Sequence, residues 1–554
     1  MKDLTTDPNY KKIRRKFLND SETNRQLLPE LICNCLKHYP KPENSPYLGG
    51  KRNNSISRRF RNSIPKYSQP TNKVLSDAMN FFQGSVLWHS PQTLQNITPP
   101  PILESVAISS IANLYNLNLL WDYVSAGVQE AEQQVVRQIS NLVNWQQDSD
   151  GVFTYGGKGC LTYAIRVGLN RCCPYIATSG LRNTSPVVIT TQFNHYIIES
   201  VCSWLGLGTK ACIRVKTHAN ETVDLDDLHD TINNVLTQKR PIACIILSGG
   251  STINLNIDNI KKTRKVVESA CDNFHLGYKP FIYFDTVVSW PWLFFRYYNF
   301  KENRFNISPK ILTRIKKVSN LLTTAKYADA IGIDFHKTGF APYNCSAFFI
   351  KNKTELHSVV SSAQITRKKE PFGNNFLQHH TIEHSRSAAP VMAAWTVLQS
   401  MGIEGFQLFL AQMMIVGDVF RDILPGYGFE LLNVHSLCHA SIYYPKPPKG
   451  PNNFHDLYNS SENVDYITQY VYELSKYFSE GGDGSFKAID VGFLKCLSKT
   501  KSGFDMSAIR IYPMSPHITT AKALILCKQL GKMKKKFDSN FKYNQFNAPE
   551  VVHK

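Results

Sequence analysis

The chain has 554 residues, of which 42% are hydrophobic, so it is long enough for a large core and more than one domain. Its 63 Lys and Arg residues against 43 Asp and Glu residues give a formal charge of +20, which fits a basic solvated surface or attraction to an acidic partner. Thirteen cysteines without zinc-finger or disulfide spacing, and the lack of an apolar run typical of a secretory signal or membrane span, predict an intracellular, cytoplasmic protein with no metal site.

The N-terminal segment, residues 1–95, is basic and rich in Asn, Ser and Pro. It predicts a helical start followed by a long loop over 45–69. Its cations and those of a basic tail at 531–554 suit solvated surface better than a nucleic-acid footprint. These cations are Lys51, Arg52, Arg58, Arg59, Arg61 and Lys66 in the segment, and Lys532, Lys534, Lys535 and Lys536 in the tail.

Residues 96–400 have the pattern of a large α/β domain. Helical spacing over 102–118 and 128–143 is followed by short apolar runs that alternate with helical patterns. This alternation predicts a mainly parallel sheet with helices on both faces. The candidate strands are 187–190, 242–247, 281–284, 330–333 and 347–350.

Residues 401–530 predict a smaller C-terminal α/β domain. A helix comes first, three strand-like runs follow at 429–432, 440–444 and 507–511, and a closing helix ends the domain.

Two loops could hold the phosphate and the aromatic ring of a ligand. Gly156, Gly157 and Gly159 open a helical run, where backbone N–H groups and the helix dipole favour a phosphate. His195 follows the strand at 187–190 and could stack flat on an aromatic ring. Taken singly, each feature is more often a simple turn or a structural loop histidine.

Two polar residues follow the next strands. Asp285 ends the run 281–284, where functional groups gather in an open α/β sheet. A buried carboxylate there needs a cation, such as a protonated pyridine nitrogen, although a helix N-cap is the alternative. Lys337 lies behind His336, after a strand that ends in the acid Asp334. A buried amine in this place can form a Schiff base with a cofactor aldehyde, whereas a lone lysine is usually a surface charge.

In this order, the four motifs resemble the group II pyridoxal-phosphate-dependent amino-acid decarboxylases, such as glutamate decarboxylase and aromatic-L-amino-acid decarboxylase. The resemblance covers about residues 95–530 and includes PPPILESV at 99–106, LYNLNLL at 114–120, EHSRSAAP at 383–390 and IRIYPMSP at 509–516. It implies an aspartate-aminotransferase-like fold of type I, with a seven-stranded sheet and pyridoxal 5'-phosphate (PLP) as the cofactor. It also implies a homodimer, an amino-acid substrate, and release of an amine and carbon dioxide.

The resemblance implies a role for each matching residue. Lys337 would bind the cofactor aldehyde until the substrate amine displaces it, and Asp285 would pair with the ring nitrogen, with Val287 lining the ring. Arg510 would grip the substrate α-carboxylate, because a planar guanidinium binds a carboxylate through two hydrogen bonds. The other cofactor-binding positions are His195 on the ring, the phosphate cradle of Gly157, Lys158 and Gly159, the hydroxyl pair Ser251 and Thr252, and His336 nearby.

Two departures from the family pattern leave alternatives open. No tyrosine occurs in 364–380, where the family usually supplies the proton donor for Cα, so His379 or His380 could serve instead. An aromatic, basic insertion at 290–314 could reshape the substrate pocket. The alternatives are a PLP-dependent aldehyde-forming or other carbon–carbon lyase, and a non-catalytic decarboxylase-like scaffold that binds an acidic partner. The sequence does not indicate which amino acid is the substrate.

Overall fold

The computed structural model describes residues 4–18, 22–39, 45–50, 63–120, 122–145, 148–181, 184–359, 381–459 and 463–543. The arginines and lysines of 51–62, the candidate proton-donor segment 364–380 with His379 and His380, and the end of the basic tail lie outside these residues.

Twelve strands within the described residues form two sheets. The strands are β1 (Thr93–Leu94), β2 (Asp150–Thr154), β3 (Val187–Thr191), β4 (Cys212–Val215), β5 (Ile242–Ser248), β6 (Phe281–Asp285), β7 (Ala330–Asp334), β8 (Ser346–Ile350), β9 (Phe429–Leu431), β10 (Ser441–Pro445), β11 (Asp490–Lys499) and β12 (Asp505–Ile511).

Seventeen α-helices lie within the described residues. They are α1 (Pro8–Arg14), α2 (Glu22–Leu36), α3 (Thr71–Met79), α4 (Leu103–Leu114), α5 (Asp122–Ser125), α6 (Gly127–Val143), α7 (Gly157–Cys172), α8 (Ile176–Ser179), α9 (Ile197–Trp204), α10 (Leu225–Thr237), α11 (Ile260–Asn273), α12 (Pro309–Leu322), α13 (Lys353–His357), α14 (Ala389–Ile423), α15 (Phe454–Asn459), α16 (Val464–Glu480) and α17 (Thr520–Asn540).

The larger sheet has seven strands in the order β2-β8-β7-β6-β5-β3-β4. Strands β7, β6, β5, β3 and β4 run parallel, and β8 is antiparallel to both of its neighbours. Every residue of β3 and β5 is buried, as expected for strands with helices on both faces. The predicted mainly parallel α/β sheet is confirmed, with all five predicted strands in place. The prediction missed β2 and β4, which lie at the two edges of the sheet.

The smaller sheet has the order β1-β11-β12-β10-β9. The three strand-like runs predicted in the C-terminal part correspond to β9, β10 and β12. Strand β11 was missed, and β1 joins the sheet from the N-terminal segment by pairing in parallel with β11. The residues just before 95 therefore pack against the C-terminal part, while the domain boundaries at 95, 400 and 530 stay predictions.

The predicted solvated character of the C-terminal lysines is wrong for Lys534. Helix α17 continues to Asn540, and Lys534 on it is only 5% exposed. Its Nζ donates to the Lys446 carbonyl oxygen at 2.7 Å and to Asp538 Oδ2 at 2.6 Å. The contact with Lys446, just after β10, connects the closing helix to the small sheet. Both contacts satisfy the Lys534 charge inside the fold.

Helix α14 qualifies as a candidate membrane span by length and composition alone, which the sequence pattern had not indicated for any run. The window that qualifies is 56% buried inside the structure. The helix packs on α4, α6 and α17 and bends at Gly402, where φ is +55°. Helix α14 is thus a helix of the protein core, and its apolar residues pack against these neighbouring helices.

Candidate active site

The candidate site is built on the carboxyl ends of the parallel strands β5, β6 and β7. Ser248 at the end of β5 pairs with Asp285 at the end of β6, and Asp285 pairs with Gly332 of β7. Asp334 is the last residue of β7. Because neighbouring parallel strands end at the same edge of the sheet, the two carboxylates Asp285 and Asp334 face one space.

Lys337 enters this space from the tight turn after β7. The Lys337 N–H donates to the Asp334 carbonyl oxygen at 3.3 Å, and the turn closes through Phe340, whose φ is +59°. The turn brings Lys337 Nζ within 2.8 Å of Asp334 Oδ2. Burial disfavours the charged amine, but the carboxylates of Asp334 and Asp285 outweigh it and raise the pKa of Lys337. In the absence of a cofactor, this amine is therefore a largely buried cation.

Asp285 has an unsatisfied carboxylate oxygen. Its Oδ1 is buried without a hydrogen-bond partner in the described part of the chain, although the carboxylate accepts the Val287 N–H. Burial raises the pKa of Asp285 to about 6, against a smaller opposing effect of Lys337. A buried carboxylate is stable as an anion only with a close cationic or N–H partner. Asp285 Oδ1 can therefore accept one more hydrogen bond.

The glycine loop opens helix α7 beside the two carboxylates. Gly156 has φ +123°, and the N–H groups of Gly159 and Cys160 bond back to its carbonyl oxygen. The N–H groups of Gly157 and Lys158, in the first turn, have no acceptor within the helix. A Cβ on Gly157 would lie 3.2 Å from Asp334 Oδ2, and one on Gly159 would clash with Thr154. The loop thus leaves two backbone donors at an open helix start.

The Lys158 side chain turns away from this helix start. Its Nζ lies 3.0 Å from the centroid of the Trp204 ring of α9. The lysine therefore makes a cation–π contact with the neighbouring helix, and only its backbone is available to the predicted phosphate cradle.

His195 lies at the open side of the site. Its ring stacks on Tyr196 at 4.7 Å between centroids, and Nδ1 accepts the Ile197 N–H at 3.1 Å. Desolvation, followed by the nearby charges of Lys337 and Arg214, lowers the pKa of His195. A neutral, flat imidazole is thus held within electrostatic reach of Lys337.

His336 is buried below the lysine. Its Nδ1 is 3.0 Å from the Cys345 carbonyl oxygen, and its Nε2 is 3.7 Å from Asp334 Oδ2. Burial lowers the pKa of His336, with Asp334 acting in the opposite direction. Its ring centroid lies 4.0 Å from that of Tyr343. His336 therefore links the lysine turn to strand β8, and its location fits the predicted nearby role.

Ser251 and Thr252 lie in the loop after β5, which is anchored beside Asp285. The Gly249 N–H donates to the Asp285 carbonyl oxygen at 2.9 Å, and Ser251 Oγ accepts the Asn254 N–H at 3.3 Å. Both hydroxyl residues are half-buried. The loop that carries the predicted hydroxyl pair therefore begins beside Asp285, and contact of the pair with the cofactor stays a prediction.

Arg510 lies on β12 of the smaller sheet. Its Nε donates to the Gln95 carbonyl oxygen at 2.9 Å and one terminal nitrogen is 3.3 Å from Asn96 Oδ1. Desolvation lowers the pKa of Arg510. No ion pair or hydrogen bond joins it to Lys337 or Asp285 among the described residues, so its contact with substrate stays a prediction.

Sequence reasoning gave no role to Asp334, Tyr343 or Glu383. The first could have been found from its position, because it ends a buried strand three residues before Lys337. Tyr343 gave no signal, since its approach to His336 depends on the turn. Glu383 accepts hydrogen bonds from Thr154 Oγ1 and Tyr163 OH, which ties the segment before α14 to the glycine loop.

The aromatic insertion packs beneath the turn that carries Lys337. Trp290 and Trp292 are fully buried. Trp290 packs on Phe335 at 5.0 Å between centroids and donates to the Asp334 carbonyl oxygen at 3.4 Å. These residues form the core under the lysine turn and hold it in place.

The described residues fit PLP. The unpartnered Asp285 Oδ1 matches a protonated pyridine nitrogen, the free N–H groups at the start of α7 match a phosphate, and Lys337 matches an aldehyde. Among the described residues, no group of three or more His, Cys, Asp or Glu side chains has the arrangement of a metal site.

Comparison with known proteins gives the same answer. Residues 307–438 match the model of the pyridoxal-dependent decarboxylase conserved domain. The chain is 21% identical over 402 residues to L-2,4-diaminobutyrate decarboxylase from Acinetobacter baumannii, covering 69% of this chain and 72% of that protein. It is 23% identical over 406 residues to aspartate 1-decarboxylase from Aliivibrio fischeri, covering 69% and 68%.

Solved structures support the fold. The structure of mouse CSAD superposes with a TM-score of 0.76 at 16% identity, covering 93% of this chain and 99% of that one. The structure of Oryza sativa TDC with PLP and tryptamine superposes with a TM-score of 0.73 at 13% identity, covering 94% and 99%. The predicted type I fold, the PLP cofactor and the decarboxylase class are confirmed, and the aldehyde-forming and non-catalytic alternatives are not favoured. These matches relate the chain to the group II pyridoxal-phosphate-dependent amino-acid decarboxylases.

Proposed function

We propose that the cluster around Lys337 and Asp285 removes the α-carboxylate of an amino acid as carbon dioxide and releases the amine. The observation that carries this assignment is the buried Asp285 Oδ1 without a partner, beside the amine of Lys337. When bound, PLP supplies an electron-poor ring that accepts the electron pair of the broken Cα–carboxylate bond.

The two strand-end groups have separate tasks. Lys337 provides the amine that holds the cofactor aldehyde and gives way to the substrate amine. Asp285 stays ionised opposite a cationic ring nitrogen, so its charge keeps the ring electron-poor. The ring nitrogen would satisfy Oδ1, and its positive charge would bring the pKa of Asp285 down.

Three further groups position the cofactor. The free N–H groups of Gly157 and Lys158 at the start of α7 would bind the phosphate, with the helix dipole in favour of the anion. The Gly159 N–H already donates to the Gly156 carbonyl oxygen. The neutral ring of His195 would stack on the cofactor when it is bound, and the hydroxyl groups of Ser251 and Thr252 would help to hold it. This arrangement holds the reacting bond in one orientation.

Arg510 binds the α-carboxylate of the substrate. Its guanidinium is half-buried and has no acidic partner among the described residues. Hydrogen bonds to Gln95 and Asn96 fix its plane and leave the far side of the fork for a carboxylate. A desolvated guanidinium with this freedom gains a charge-assisted pair when a carboxylate arrives.

Tyr343 returns the proton to Cα. It follows the lysine turn, lies against His336, and is close enough to affect the charge of Lys337. The phenol is on an exposed residue, so it can exchange protons with solvent between turnovers. Tyr343→Phe should lower kcat at least tenfold without loss of cofactor. Tyr175→Phe, also on an exposed tyrosine, is the control and should leave kcat unchanged. Equal rates in all three proteins would exclude Tyr343.

The enzyme works as a homodimer in the cytosol. Helix α4 leaves Leu103, Val106 and Ile111 exposed by 83%, 38% and 44%. An exposed apolar stripe of this kind suits a second copy of the chain. All thirteen cysteines are free thiols, which fits a reducing compartment. Light scattering should give twice the chain mass, and Leu103→Asp should shift the protein towards monomer. A wild-type monomer would contradict the proposal.

One experiment tests the assignment as a whole. Purified, PLP-loaded protein is screened for carbon dioxide release over acidic, cationic and aromatic amino acids, because the relatives named above act on different classes. Amine and aldehyde products are measured in parallel. Borohydride reduction and peptide mapping should place the cofactor on Lys337, and Lys337→Ala should abolish both labelling and gas release. A label on another lysine would overturn the assignment.

A further inference from the structure

Asp334 is a second buried acid in the site, and it has no part in the proposed reaction. It is 2% exposed at the end of β7. Its Oδ2 is 2.8 Å from Lys337 Nζ, and its Oδ1 accepts the Ser346 hydroxyl at 2.6 Å. The carboxylate is therefore held by a cation on one oxygen and by a strand β8 hydroxyl on the other.

We propose that Asp334 is the counter-ion of the Lys337 nitrogen and keeps that nitrogen protonated both before and after the cofactor is attached. The second half of this statement rests on the proposed attachment of PLP to Lys337. Asp285 does not serve this purpose, because no ion pair joins it to Lys337 within the described residues and its free oxygen is kept for the ring nitrogen.

The charges around the pair support this assignment. Lys337 and Asp334 are close to one further carboxylate, two imidazoles, two thiols and two phenols. These groups are Asp285, His195, His336, Cys160, Cys345, Tyr283 and Tyr343. Although burial favours the neutral acid, Lys337 and then His336 lower the pKa of Asp334. No second full cation competes for its carboxylate, since burial lowers the pKa of both imidazoles.

The pair has opposite effects on two steps. Attachment of the cofactor needs the neutral amine, so the Lys337 ammonium first gives one proton to solvent. The nitrogen then adds to the aldehyde, and one water leaves as the carbon–nitrogen double bond forms. Asp334 slows this step because it stabilises the ammonium. Afterwards the linking nitrogen takes a proton back from solvent, and Asp334 stabilises that cation. A protonated link is the better electrophile for the incoming substrate amine.

The first test is a pH titration of the visible absorbance of PLP-loaded protein. We expect the protonated link of the wild type to persist to a pH at least one unit higher than that of Asp334→Asn, since a close opposite charge shifts a pKa by about 1 to 3 units. Asp334→Glu keeps the charge and should restore most of the difference. Ser346→Ala removes only the hydroxyl contact and should change the midpoint by much less than Asp334→Asn.

The second test uses cofactor-free protein and covers the case in which Asp334→Asn does not retain PLP. The rate at which acetic anhydride labels Lys337, followed by mass spectrometry against pH, gives the titration of the free amine. We expect a lower midpoint in Asp334→Asn than in wild type, with thermal melting to confirm folding.

Equal midpoints for wild type and Asp334→Asn in either titration would overturn the proposal. A wild-type protein that never attaches PLP to Lys337 would instead overturn the proposed function, while the labelling of the free amine would still report on the pair.

Discussion

Asp285 and Asp334 end adjacent parallel strands and lie within reach of the same lysine, yet their pKa values move in opposite directions. Burial raises the pKa of Asp285 to about 6, whereas the cation of Lys337 holds the pKa of Asp334 below its ordinary value. The difference is one polar contact: Asp334 Oδ2 lies 2.8 Å from Lys337 Nζ, and Asp285 Oδ1 has no hydrogen-bond partner within the described residues. One acid thus has its cation already, and the other has the place for a cation that the cofactor supplies.

The largest expected effect is loss of turnover in Asp285→Asn. The amide keeps the shape but removes the charge that holds the ring nitrogen protonated, so kcat should fall about 100- to 1,000-fold. Carbon dioxide release at saturating substrate and PLP measures it. The matched control is Asp329→Asn, an acid at the opposite end of β7 that pairs with Arg171 and Arg264. Near-native turnover in Asp285→Asn would mean that the ring charge is set elsewhere.

The two acids should also have opposite effects on the stability of the cofactor-free protein. Folded Asp285 keeps a proton that the unfolded chain releases between about pH 4 and pH 6, so its contribution to the unfolding free energy falls as the pH rises through this window. At pH 7, Asp285→Asn should therefore stabilise the protein by up to about 3 kcal/mol, and the gain should vanish at pH 4.

Asp334→Asn should do the reverse. Its lowered pKa contributes stability that is present at neutral pH and is lost as the pH falls through the folded value. Removal of the acid leaves a buried Lys337 cation and should cost about 3 kcal/mol at pH 7. Urea unfolding of both variants at pH 4 and pH 7 measures the contrast, and changes of the same sign at pH 7 would refute it.

Arg510→Lys tests the substrate side of the site. Lysine keeps the positive charge but loses the two-pronged fork, so KM should rise about tenfold. The lysine-bound cofactor absorbance should be unchanged, because Arg510 lies on the smaller sheet and contacts Gln95 and Asn96. Loss of the cofactor with an unchanged KM would show that Arg510 contacts the cofactor and not the substrate.

The smallest effect concerns the glycine loop at the start of α7. A Cβ on Gly157 would lie 3.2 Å from Asp334 Oδ2 and narrow the helix start. Gly157→Ala should weaken PLP binding a few-fold in an equilibrium titration. Gly127→Ala is the control, because Gly127 also begins a helix but has open space around its Cβ position. An equal loss of PLP affinity in both variants would show that alanine at any helix start has this effect.

Local patterns in the sequence determined much of this protein. Runs of β-branched and aromatic residues predicted five strands of the large sheet, and residues shortly after three of these runs, Asp285, His195 and Lys337, were predicted as site residues. This works because strand period, chain direction and the ends of parallel strands are set by short stretches of sequence.

Tertiary structure decided which of these groups meet. The pairing of Asp334 with Lys337, the unsatisfied oxygen of Asp285, the burial of Lys534 and the pairing of β1 with β11 all depend on contacts between segments far apart in sequence or on the geometry of one turn. Strand register and side-chain direction fix such contacts to within an ångström. Since a charge is stable or unstable according to its partner, only the folded structure separates the acid that has its cation from the acid that lacks one.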